Sequence, residues 1–211
     1  MGALAAEEFG GVQAEEPAGE QASAAGQCWS FGALTGRLVE VTHRGAGTSM
    51  TWATELLWQA QEAGEPTAWI CTGNRLPFAP DLLRYGVDLE ACPVVRTTSA
   101  QQAAVCADKL LRSGAFGLVV LDLGEQADIP TPLLGRLTKL AQTHSAAVVM
   151  LTEGEAASAA LGSLVSLRLL AEREVATMGG DTELRLTAVK DKRAGPGWND
   201  SLQVQQPLGL R

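Results

Sequence analysis

Leu38-Val39-Glu40-Val41-Thr42-His43-Arg44-Gly45-Ala46-Gly47-Thr48-Ser49-Met50 carries an apolar strand into a short glycine-containing loop. Beyond it, Ala53, Leu56, Leu57 and Ala60 recur at helical spacing, so the loop lies between a strand and a helix N-terminus. Nucleotide-hydrolysing α/β proteins place a phosphate-binding loop there, with the pattern GxxxxGK[ST]. Its glycines let backbone N–H groups wrap the phosphates, its lysine reaches the β/γ oxygens, and its hydroxyl residue holds Mg²⁺. Setting Gly47-Thr48-Ser49 on GK[ST] leaves Thr42 at the first glycine and Thr48 at the lysine. Moving by one residue puts His43 and Thr48 on the glycines, Ser49 on the lysine and Met50 on the hydroxyl. Neither register supplies the lysine. The position is that of a nucleotide loop and the chemistry is not, which predicts a protein that is not an enzyme and holds no cofactor. Gly45-Ala46-Gly47 also begins a GxGxxG string, but Met50 stands at the third glycine, so a dinucleotide fingerprint is not formed.

The same alternation of strands and helices continues outward. Thr67-Ala68-Trp69-Ile70-Cys71 reads as a buried strand, and Pro93-Val94-Val95-Arg96 as a shorter one. Ser99 with Gln102 forms a capping box for a helix burying Ala103, Cys106, Ala107 and Leu110. Leu118-Val119-Val120-Leu121 is apolar on both faces, as a central parallel strand requires. Thr131 is expected to cap the next helix, with Pro132 in its first turn and Leu133, Leu134, Leu137, Leu140 and Ala141 on one face. Residues 146–151 give another buried strand. After an Ala/Ser-rich linker only strands follow, over 164–170, 183–189 and 201–205, with Gly179-Gly180-Asp181 turning between the first two. The expected fold is α/β: a three-layer, mostly parallel central sheet with a C-terminal antiparallel β-meander edge.

The 211 residues suit one sizeable domain with or without a tail, and 46% apolar content is a globular proportion. The formal net charge of −8 argues against strong non-specific binding of nucleic acid or acidic membranes by the chain as a whole. Residues 1–36 contribute Glu7, Glu8, Glu15, Glu16 and Glu20 and no Lys or Arg. Residues 1–27 are therefore read as an acidic, disordered tail, and 28–211 as the core domain. Cys28, Cys71, Cys92 and Cys106 form no CxxC, and His43 and His144 complete no ligand pattern, so reduced thiols and no metal site are expected. No signal peptide or stretch of transmembrane length is read, which places the chain in the cytoplasm, away from membranes.

Several segments, in order, resemble bacterial RecA recombinases: Gly36-Arg37-Leu38-Val39-Glu40-Val41 before the loop, Tyr85-Gly86-Val87-Asp88, Leu110-Leu111-Arg112-Ser113-Gly114-Ala115 leading into Leu118-Val119-Val120-Leu121-Asp122, and Val189-Lys190-Asp191-Lys192-Arg193-Ala194-Gly195-Pro196. The resemblance implies a RecA-like core over roughly residues 29–205. It also exposes departures. The RecA glutamate that activates water matches glycine in Ile70-Cys71-Thr72-Gly73-Asn74. The first DNA-binding loop looks trimmed, since about 25 residues after Asp122 reach the next strand, and the second is reduced to about Glu153 to Ala160. RecA's N-terminal polymerisation segment and C-terminal domain have no counterpart.

A short RecA-like chain with a degenerate loop is similar to the ImuA family, the RecA/SulA-like accessory proteins of bacterial mutagenesis cassettes. That resemblance implies SOS-induced translesion DNA synthesis beside an ImuB-like relative of Y-family polymerases and an error-prone replicative-type polymerase, with RecA itself as a further partner to be restrained. Net negative charge and the two shortened DNA loops point to weak or no direct DNA binding. Three other roles stay open: a nucleotide-sensing ATP-binding module without hydrolysis, an atypical NTPase borrowing Lys190 or Lys192 from a neighbour, and a SulA-like cell-division inhibitor.

Each candidate residue has two readings. Asp122 matches the acid that orients Mg²⁺-bound water, or is a structural cap at a strand end. Gly45 and Gly47, with Thr48 and Ser49, make a vestigial nucleotide loop that either nests an anion or only turns the chain. Lys190 and Lys192, two apart on an expected strand, share a face and with Arg193 either dock a partner or are solvated. Trp198 and Arg168 would extend such a patch. Trp29, Trp52, Trp58 and Trp69 are core packing or a base-stacking platform, and the acidic tail mimics DNA phosphate or merely solubilises.

Overall fold

The computed structural model describes residues 28–44, 48–154, 161–174 and 182–204. Eight strands form one sheet: β1 (Leu38–His43), β2 (Thr67–Thr72), β3 (Val94–Thr97), β4 (Leu118–Gly124), β5 (Ala147–Glu153), β6 (Leu167–Glu174), β7 (Thr182–Asp191) and β8 (Asn199–Val204). Five helices accompany them: α1 (Phe31–Leu34), α2 (Thr48–Glu62), α3 (Ala79–Arg84), α4 (Ala100–Ser113) and α5 (Thr131–Thr143). The strand order is β3-β2-β4-β5-β1-β6-β7-β8. The first six strands run parallel, and β7 pairs antiparallel with both β6 and β8. This is the expected α/β sheet, mostly parallel, with an antiparallel edge.

The apolar runs sort onto two faces because side chains alternate along a strand. Leu118 and Val120 join Val39, Val41, Trp69, Val149 and the α2 residues Ala53, Leu56, Leu57 and Ala60 in one core. Val119 and Leu121 join Leu38, Ile70, Val148, Met150 and the α4 and α5 residues Ala103, Ala107, Leu111, Leu134 and Leu137 in the other. Helices therefore cover both faces, giving three layers. Each fully buried leucine contributes about 1.5–3 kcal/mol, so the two cores suffice to hold β1 and the start of α2 in place. Trp29, Trp52 and Trp69 are buried in the first core, Trp29 edge-on to Trp52, while Trp58 is partly exposed. All four cysteines are free. No described helix is long and apolar enough to cross a membrane.

Several local expectations are corrected. The strand expected over 164–170 begins at Leu167 and runs to Glu174. Ser166 turns the chain in, its N–H and hydroxyl both donating to Leu38 O. The charged end persists because antiparallel pairing with β7 continues there, setting Glu172 opposite Arg185. β3 is an edge strand with Val94 exposed, not a buried one. Thr131 is the first helical residue of α5, and Pro130 is the N-cap with no side-chain bond. In the capping box, Ser99 Oγ accepts from Gln102 N–H, but the Gln102 amide reaches Thr98 N–H and hydroxyl, not Ser99. Residues 1–27, Gly45 and Gly47 of the loop, 155–160 of the second DNA loop, the 179–181 turn and Gln205 lie outside the described residues.

Candidate functional site

The strands β1, β2, β4 and β5 all end at one edge of the sheet, where ligands bind in open α/β folds. Here the loop after β1 delivers Thr48 and Ser49 at the start of α2. Both are buried and both are engaged inside the protein. Thr48 Oγ1 donates to Ala171 O on β6 at 3.1 Å, so Thr48 ties α2 to the sheet. Ser49 Oγ is 2.8 Å from His43 Nδ1, which closes the end of β1 onto the helix. Burial pulls the His43 imidazole below its ordinary proton affinity, with Glu153 opposing that shift and the Arg75 charge reinforcing it.

Asp122 sits one strand over, 2% exposed, where β4 carries a bulge between Asp122 and Gly124. Thr72 Oγ1 donates to both Asp122 O and Leu123 O at 3.2 Å, holding the bulge carbonyls. The Asp122 carboxylate accepts from Arg75 Nε at 2.9 Å, and Arg75 Nη1 lies 3.4 Å from Glu153 Oε2. One guanidinium thus links the loop after β2 to the ends of β4 and β5. Gly124 permits this: its φ is +65°, and a Cβ there would lie 2.8 Å from Arg75 Nη1. Burial raises the Asp122 carboxyl above the ordinary carboxylate range despite Arg75, and Asp122 Oδ2 has no hydrogen-bond partner.

Beside Arg75 opens a cleft of about 540 Å³, lined also by Thr72, Gly73, Ser99, Gly124 and Glu153. Gly73, which the sequence resemblance sets against the RecA glutamate, turns the chain with φ +62° and has no atom within 4 Å of where a Cβ would stand. Space for a side chain exists; the carboxylate does not. Arg75 lies one residue past Asn74, outside the Ile70 to Asn74 stretch that is matched to RecA. Its signal was a lone cation directly after an apolar strand, but its partners lie 47 and 78 residues away.

The second candidate group lies elsewhere on the sheet. Arg168 pairs in register with Glu40 on β1 and with Lys190 on β7, so Lys190 is level with the first half of β1. The loop follows His43, about 10 Å further along the strand. Lys192 lies beyond β7, in the turn after Asp191, yet it still meets Lys190: their Nζ atoms donate to the same Ser163 O at 2.8 and 3.2 Å. Arg193 turns away and donates to Ala33 O and Thr35 O behind α1. Arg168 does not extend an exposed patch; it is buried, with Nε 2.7 Å from the fully buried Glu40 Oε2. Trp198 is half-buried and donates to Asp191 Oδ2 at 3.0 Å. Asp191 also takes Arg37 Nη2 at 2.6 Å. Burial works against the charge of Asp191, but these bonds and the Arg193 N–H outweigh it and keep the carboxyl below its usual range.

No protein-family model matches the chain. Among curated proteins, RecA of Corynebacterium diphtheriae is 39% identical over 88 residues, covering 41% of this chain and 23% of that protein. RecA of Nocardioides sp. is 38% identical over 88 residues, covering 41% of this chain and 25% of its own length. RecA of Leifsonia xyli is 35% identical over 88 residues, again 41% of this chain and 24% of its own length. The chain spans about a quarter of the length of the curated relatives it matches. With its parallel sheet and antiparallel C-terminal edge, this chain is RecA-like over part of its length.

Proposed function

We propose that this chain is a non-catalytic, RecA-like accessory protein of the ImuA type, serving SOS-induced translesion DNA synthesis through protein–protein contacts. Its partners in this reading are an ImuB-like Y-family polymerase relative and an error-prone replicative-type polymerase, with RecA filaments as a further target. The observation that carries the reading is the internal engagement of Thr48, Ser49 and Asp122, bonded to Ala171, His43 and Arg75 respectively. A nucleotide loop needs those groups free for phosphate and Mg²⁺. Without the lysine, transition-state charge stabilisation worth several kcal/mol is also missing.

Two measurements test it. Calorimetric titration with ATP and Mg²⁺ is expected to show no saturable binding up to millimolar nucleotide. Stimulated ATPase activity that Asp122→Ala abolishes would overturn the non-catalytic reading. Pull-downs against the ImuB-like protein, the polymerase, RecA and the division-ring protein are expected to retain one or more of the first three. Capture of the division-ring protein alone would favour a SulA-like inhibitor instead.

A further inference from the structure

The chain has four lysines, and two of them, Lys190 and Lys192, converge on one neutral carbonyl. Both ammonium groups lie within hydrogen-bond distance of Ser163 O, 3.2 and 2.8 Å away, so they are at most about 6 Å apart. Neither forms a salt bridge with a carboxylate among the described residues. The acids beneath them are already engaged: Glu40 by Arg168, and Asp191 by Arg37, Trp198 and the Arg193 N–H. Arg168 itself donates through Nη2 to Gly162 O, so two successive carbonyls of the 161–166 segment face three cations. Two like charges held this close repel, and a carbonyl dipole answers them only in part. Burial lowers the proton affinity of Lys190, and the charges of Lys192 and Arg168 lower it further, with Glu40 opposing them. On a chain of net charge −8, this is a place short of an anion.

We infer that Lys190 and Lys192 form a receptor for an acidic segment of a partner protein, with a carboxylate bridging the two ammonium groups. Each lysine has three N–H donors and directs one at Ser163, which leaves donors to take both oxygens of one carboxylate or two adjacent carboxylates. Nucleic acid is a poorer fit. Two ammonium groups neutralise few phosphates, and the negative charge of the rest of the chain opposes a polyanion longer than the patch. The inference rests on the protein-contact reading above and assigns the chemistry of one contact surface.

The test uses the full chain and a fluorescein-labelled octaglutamate peptide, followed by anisotropy at low and physiological salt, with a twenty-residue oligothymidylate as second probe. Saturable peptide binding is expected. It should weaken at least tenfold in the Lys190→Gln/Lys192→Gln variant and remain unchanged in a Lys109→Gln/Lys139→Gln control with the same net charge. Equal weakening in both variants would reduce the effect to overall charge and overturn the proposal. Tighter, lysine-dependent binding of the oligothymidylate would assign the patch to nucleic acid and also overturn it. Amide shifts at Ser163 and Lys190 to Arg193 on peptide addition locate the site independently; shifts confined elsewhere count against it. Pull-downs with the same variant separate the two readings. Partners retained by a chain that has lost peptide binding leave the accessory function standing without this patch. Peptide binding with no mutagenesis partner captured keeps the patch and removes the function.

Discussion

The two ends of β1 are handled in opposite ways. At its C-terminal end the polar groups are closed onto each other: Ser49 on His43, Thr48 on Ala171, Arg75 on Asp122 and Glu153. Near its N-terminal end the buried charges Glu40, Arg168, Arg37 and Asp191 are paired, but among the described residues Lys190 and Lys192 donate to a carbonyl and form no ion pair. At the C-terminal edge Thr48, Ser49 and one oxygen of Asp122 are engaged inside the protein, Asp122 Oδ2 being left without a partner, and the two lysines sit on the other flank. A fold can therefore keep the position of a site while its polar groups are turned to structural use, and interaction capacity then resides where charge is left unanswered.

Five variants would break or sharpen this contrast. The largest effect is expected from Arg168→Ala, which leaves the fully buried Glu40 carboxylate without its cation. Removing one partner of a buried pair costs about 3–5 kcal/mol, and urea unfolding reads it directly. A loss below about 1 kcal/mol would show the pair to be solvated.

Ser49→Ala should cost about 1–3 kcal/mol, because it strands the buried His43 Nδ1. The pH dependence carries the same information. The folded His43 binds its proton more weakly than the unfolded side chain, whose value is 6.5, so its contribution is complete above 6.5 and is lost as pH falls through and below that value. Unfolding curves of wild type and His43→Gln should converge in slope only above that range. Identical slopes below it would mean that His43 is solvated.

Asp122→Asn tests the closed site with the opposite sign. The folded carboxyl holds its proton more tightly than the ordinary value of 3.8. Its stabilising contribution is thus full below 3.8 and is lost as pH rises through the folded value, leaving a buried ionised group that costs stability at neutral pH. Asparagine keeps an acceptor for Arg75. The variant should match or exceed wild type in stability at neutral pH, with the difference vanishing in acid. A clear loss at neutral pH would make the ionised pair a net contributor.

The smallest stability effect belongs to Lys190→Gln/Lys192→Gln. Substitution at solvated positions normally stays within about 0.5 kcal/mol, and here relief of like-charge repulsion favours the variant. A thermal-melt shift of several degrees downward would show that the two bonds to Ser163 anchor the 161–166 segment and are not free for a partner.

Much of the architecture was legible because burial leaves local marks. Leu118 to Leu121 is apolar on both faces, and each face enters a different core. Ala53, Leu56, Leu57 and Ala60 repeat at helical spacing and are all fully buried. The absence of lysine from residues 42–50 and the glycine at position 73 were equally plain in the chain. Local pattern failed where tertiary placement decided: Val94 is exposed because β3 is an edge, and β6 extends past its apolar run because β7 lies beside it.

By itself, then, the sequence determined that strands and helices alternate, that residues 42–50 contain no lysine, and that net charge is negative. These depend on windows of a few residues, where periodicity and residue type act directly. Only the tertiary structure decided that Arg75 joins Asp122 and Glu153, that Thr48 and Ser49 are engaged internally, and that Lys190 and Lys192 meet over Ser163. Most of those partners are separated by tens of residues and become neighbours through strand order and loop path. That order is set by the burial of both faces of the whole sheet, a sum over the entire chain that no short stretch contains.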